Sequence, residues 1–160
     1  MIRFLFLLLT IASSTAAIGQ TMVVCPWLTS GTAATLLGGD VTVEAHVEGD
    51  SVGACRFARK RGDSTASIEI LVDPTDTHPC PQDNVQLKSL GNEAVQCRRT
   101  TLPAQHFDIV AGRIRNIYFA ITLTGVPDAT RQEPGDPRLS DAYGASALER
   151  AAEQVVGNLY

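Results

Sequence analysis

His46, His78 and His106 are the only imidazoles in the chain, and nucleophilic hydrolysis would need one of them within hydrogen-bond reach of a serine or cysteine, with a third group orienting the base. They are scattered along the sequence, and no G-x-S-x-G elbow accompanies them. The cysteines Cys25, Cys55, Cys80 and Cys97 show no C-x-x-C spacing, which argues against zinc. Asp73, Asp76, His78 and Asp83 gather around prolines and Cys80, a set of hard oxygens with one imidazole. Turns collect Asp and Pro for conformational reasons, so we expect no metal there. Seventeen acidic residues offer too many carboxylate pairs for spacing alone to select a glycosidase dyad. Neither G-x-G-x-x-G nor G-x-x-x-x-G-K-[ST] occurs, so no nucleotide cofactor is implied. The reading is no enzyme, no catalytic residue and no cofactor. Arg61-Gly62-Asp63, the tripeptide of integrin-binding adhesins, falls where a hairpin tip belongs and is read as turn chemistry.

What the cysteines do depends on compartment. Arg3 followed by the apolar run Phe4–Ala12 and the small residues Ser13–Gly19 reads as a secretory leader, with cleavage near Gly19 uncertain by about three residues. The apolar run is far short of the roughly 20 residues that span a bilayer. The expected organisation is a signal peptide over 1–19 and one domain over 20–160, placed in the periplasm or outside the cell. Loss of Arg3 with the leader leaves 12 basic against 17 acidic residues, a charge of −5, which disfavours nucleic acid and anionic membrane as partners. An even number of cysteines in an exported chain implies disulfides. Three connectivities exist, and Cys25–Cys55 with Cys80–Cys97 is preferred because each closes a local loop and the loops do not overlap. Each is worth about 3 kcal/mol by loop-closure entropy.

The elements that would position any site are mostly strands. Arg113–Thr124 carries the cleanest alternation, with Ile117, Phe119, Ile121 and Leu123 on one face and Asn116, Tyr118, Ala120, Thr122 and Thr124 on the other. Val41–Val47, Cys55–Lys60, Ser67–Asp73, Glu93–Arg99 and Gln105–Val110 are read as further strands, and Ala111-Gly112 as the turn joining Gln105–Val110 to Arg113–Thr124. His46 then points to solvent, and Leu71 interrupts the polar face of its strand. The basic run Arg56, Arg59, Lys60 and Arg61 is read as solvating a strand end. Thr29 or Ser30 caps a short helix that ends at Gly38-Gly39. Trp27 beside Cys25 reads as core. Leu148, Ala151, Ala152, Val155, Val156 and Leu159 form the apolar stripe of a terminal helix, starting at Ser146 or near Ser140. Gly125–Asp136 reads as a loop.

Cys25 before the helix ending Leu36-Leu37-Gly38-Gly39, then Cys55-Arg56-Phe57, then Leu90-Gly91-Asn92-Glu93-Ala94-Val95 and a terminal helix resemble small bacterial exported two-disulfide proteins of unknown function. Envelope lipoproteins and kinase extracellular sensor domains with a similar C-x-[FW] strand and G-[DN]-E-A turn are among them. The resemblance implies an α+β domain, PsbP-like, with an antiparallel sheet of about five to six strands and helices on one face. It carries over no catalytic residue, and the chain departs from the lipoprotein members in lacking a convincing lipidation site. The expected role is a monomeric, non-enzymatic binding or sensing module of the envelope. Asn116, Tyr118 and Thr122 would offer the ligand surface, to a small molecule or an envelope protein. A carboxylate hydrolase and a structural envelope component are the alternatives.

Overall fold

A computed structural model of the chain describes residues 23–49, 52–75, 79–80, 84–90, 93–101, 105–125 and 138–160. The expected leader, Asp76, His78 and Asp83 of the acidic stretch, and all but the first residue of the expected loop Gly125–Asp136 lie outside them.

Among the described residues seven strands form one sheet: β1 (Thr42–Glu48), β2 (Val52–Arg61), β3 (Ser64–Asp73), β4 (Val85–Gln86), β5 (Val95–Thr101), β6 (Gln105–Ile114) and β7 (Ile117–Thr124). Every pairing is antiparallel, in the order β1-β2-β3-β7-β6-β5-β4. The chain therefore makes two meanders, β1-β2-β3 and β4-β5-β6-β7, whose last strands meet at a central seam between β3 and β7. The sheet has more strands than the five to six expected. The addition is β4, whose two residues are too short to carry a period.

Two helices among the described residues cover one face. In α1 (Ser30–Leu37), the Thr29 hydroxyl accepts the Thr32 backbone N–H at 3.1 Å, and Gly38 closes the other end in the left-handed conformation. Arg59 lies on this face and donates to the Leu37 carbonyl at 2.7 Å, so it caps a helix rather than solvating a strand end. In α2 (Arg138–Leu159), Leu148, Ala151, Ala152 and Val155 turn inward, in the stripe the spacing predicts. The helix begins at Arg138, close to Ser140, the earlier of the two expected starts. Between helices and sheet lie Phe57, Ile68, Ile70, Val72, Val110, Phe119, Ile121 and Leu123, all buried. Trp27 is fully buried among them, and the Asn158 side-chain amide donates to its carbonyl at 3.0 Å, tying the end of α2 to the first described segment.

Both preferred disulfides are present, Cys25–Cys55 and Cys80–Cys97. They staple opposite faces. Cys25 and Cys55 belong to the core under the helices, whereas Cys97 joins Ile109, Ala111 and Ala120 in a small cluster on the other face, with Cys80 and Phe107 packed against it.

The hairpin turns are where sequence and structure part. Gly62-Asp63 is a two-residue turn between Arg61 and Ser64, with Gly62 at φ 58°, as the first position of a type II′ turn requires. That position is the one expected for it. Ala111-Gly112, in contrast, is not a turn: both residues are inside β6, opposite Ala120 and Phe119. A side chain on Gly112 would come within 2.9–3.1 Å of Ala94 and the Phe119 ring, so the glycine makes room for packing. The turn is Arg115-Asn116, with Arg115 at φ 56°.

Among the described residues no helix is long and apolar enough to cross a membrane.

Candidate functional site

The sheet face away from the helices is built in lateral rows, because antiparallel partners share a face. One row runs Glu44, Arg56, Glu69, Thr122, Ile109, Cys97 across six strands, and the next runs His46, Ala54, Leu71, Ala120, Ala111, Val95. Their character changes midway. On β5 and β6 the rows are apolar and lie under the Cys80–Cys97 disulfide. On β1, β2 and β3 the first row is charged, and the second sets His46 beside Ala54 and Leu71.

A groove of about 580 Å³ occupies this half of the face. Ala54, Leu71 and Ala120 supply an apolar floor, Glu44, His46, Arg56, Glu69 and Thr122 a polar surround, and Pro79 a wall. Pro79 reaches it because the chain, leaving β3 at the middle of the sheet for β4 at the far edge, brings residues 79 and 80 against this face. The Cys80 disulfide fixes it there, and Arg99 Nη1 donates to the Pro79 carbonyl at 3.5 Å. Leu71, 39% exposed, is the large apolar side chain of the floor. Its break in the polar alternation is thereby explained. Arg56 Nε lies 3.3 Å from Glu69 Oε1, with both side chains about half exposed, a pair worth less than 1 kcal/mol to stability but one that fixes which charges face the groove.

The three residues singled out as a ligand surface are not brought together. Thr122 lines the groove. Tyr118 shares its face but lies four residues along β7, about 13 Å away. There it meets a different group: Arg113 stacks over the Tyr118 ring at 5.9 Å, and its Nη2 donates to Glu93 Oε1 at 2.6 Å. The Glu93 carboxylate, first, and then its hydrogen bond push the Arg113 pKa up, holding the guanidinium charged. Asn116 is in the β6–β7 turn and on neither face.

Glu44, His46, Arg56, Glu69 and Pro79 are the groove residues that sequence reasoning did not assemble. Period-2 alternation puts Glu44, His46 and Glu69 on the less apolar faces of their strands, but only the pairing register makes them and Arg56 neighbours, and only the Cys80–Cys97 bridge brings Pro79 beside them. At the end of β3, Asp73 accepts hydrogen bonds from the Thr75 hydroxyl and, at 2.7 Å, from the Thr75 backbone N–H. These lower the Asp73 pKa below the usual aspartate range, the hydroxyl contributing most. Among the described residues no cluster of three metal-ligating side chains occurs. Comparison with protein-family models, curated proteins and solved structures finds nothing that this chain matches.

Proposed function

We propose that this protein is an exported, non-enzymatic binding module of the bacterial envelope, and that the groove on the uncovered sheet face is its binding site. The observation that carries the reading is a concavity with an apolar floor, polar groups on its sides and a disulfide-anchored wall. Its volume lies in the range of small-molecule sites, and such sites combine a mainly apolar lining with a few placed polar groups. The ligand this selects is small and amphipathic: an aliphatic or aromatic body over Leu71, Ala54 and Ala120, and a polar end meeting Arg56, Thr122 or the carboxylates. Two disulfides support export, since such bridges persist in oxidising compartments. The resemblance to exported envelope and sensor domains points the same way.

The test is a screen of small amphipathic amines and carboxylates by backbone amide shifts. A true ligand moves the amides of Ala54, Leu71 and Ala120, and Leu71→Asp, at an already exposed position, abolishes the response while the thermal midpoint changes by only a few degrees. Shifts confined to other regions, or turnover of the added compound, would sink the proposal.

A further inference from the structure

The two edges of the sheet are unlike. At one, β4 contributes only two residues. At the other, β1 presents seven residues paired with β2 in unbroken register, without a bulge or a proline, and among the described residues no strand pairs with its outer side. Every second residue of such a strand turns its N–H and C=O away from the sheet, a template for another strand.

The side chains of β1 restrict what that strand can be. A second copy related by a two-fold axis perpendicular to the sheet keeps both pairs of helices on one side, and residues on the same face of β1 must then oppose one another. Three registers are compact. Centred on Glu44, the axis sets Glu44 against itself. Centred on His46, it sets histidine against histidine and Glu44 against Glu48. Centred on Ala45, it opposes Glu44 to the second copy's His46 at two symmetric places, Val43 to Val47 twice, Thr42 to Glu48 twice and Ala45 to itself. Only this register keeps carboxylates from opposing carboxylates and imidazoles from opposing imidazoles, and in it each imidazole N–H is positioned to donate to a carboxylate. Val43, Ala45 and Val47, half-buried on the core face, gain cover from their counterparts. An unrelated strand would have no reason to match this self-complementary pattern.

We propose that the protein forms a symmetric dimer through antiparallel pairing of β1 with β1 of a second copy, centred on Ala45, giving a continuous fourteen-stranded sheet. Glu44 and His46 also line the groove, so the two grooves meet at the two-fold axis. The pairing stands independently of what the groove holds.

Sedimentation equilibrium of the purified chain, from about 1 µM to 1 mM to cover a small interface, tests it. The wild type should fit a monomer–dimer equilibrium. His46→Glu, which turns two attractive pairs into repulsive ones, should weaken it about tenfold. His46→Lys, which keeps the attraction, should associate at least as tightly as wild type. His46 is solvent-exposed, so near-native thermal midpoints should accompany both changes. A monomer at 1 mM, a dimer indifferent to His46→Glu, or a monomer whose β1 amides respond instead to an added extended peptide would overturn the proposal.

Discussion

Asp73 closes β3 with its own carboxylate, accepting from the hydroxyl and the backbone of Thr75, and this gives an acid-side signature at one residue. Its pKa in the folded protein is depressed, chiefly by the Thr75 hydroxyl. The folded state therefore binds fewer protons than the unfolded one between the two pKa values, so the contribution is complete above the unfolded value and is lost as pH falls through the folded one. Thr75→Val should return the Asp73 titration toward the ordinary aspartate range, read by carboxyl carbon shifts, and should remove that part of the acid dependence. An unmoved titration would show that the hydroxyl is not the cause. Lone residues of this kind are partly legible: Asp-Pro-Thr after an alternating run announces a turn, but not which side chain accepts.

The β6–β7 hairpin shows at the scale of an element what periodicity can and cannot decide. Alternation across Ile117–Leu123 picked out the core face of β7, where Phe119, Ile121 and Leu123 are buried under the helices, although Ala120 and Thr124 on the other face are buried as well. It also exposed Leu71 as an anomaly, and that anomaly is the floor of the groove. Turn position was not legible. Gly112 is the obvious breaker by composition, yet its missing side chain serves the Phe119 ring, while the chain reverses at an arginine. Left-handed backbone at a residue with a side chain costs about 1–2 kcal/mol. The Arg115 guanidinium, 5.8 Å from the Tyr160 ring, recovers part of this. Arg115→Gly should raise stability by up to about 1 kcal/mol, measured by chemical denaturation, with no change in the core. Destabilisation would mean that the contact with Tyr160 outweighs the backbone strain.

For the whole molecule, strand identities were readable but their order was not. A seven-stranded order depends on which strands meet across long separations, and the β3–β7 seam joins residues about fifty apart in sequence. The groove inherits that illegibility, since Thr122 meets Glu69 only across this seam. The disulfides were readable because each closes locally, over 30 and 17 residues. Their placement has a further consequence. Cys25–Cys55 lies wholly before the seam crossing and Cys80–Cys97 wholly after it, so a single backbone cut between Thr75 and Pro79 would leave no covalent link between the halves. What would join them is the seam's ladder, the apolar core with the contact of α1 and α2, and the Asn158–Trp27 hydrogen bond. The protein is in this sense a ready-made split pair: halves ending near Asp76 and beginning near Thr77, produced together under oxidising conditions, should reassemble into one particle with both bridges oxidised. Their separation in mild denaturant, under non-reducing conditions, would measure how strongly the two halves hold each other, the central seam included. Halves that stay apart in native buffer would show that chain continuity is what holds β3 to β7.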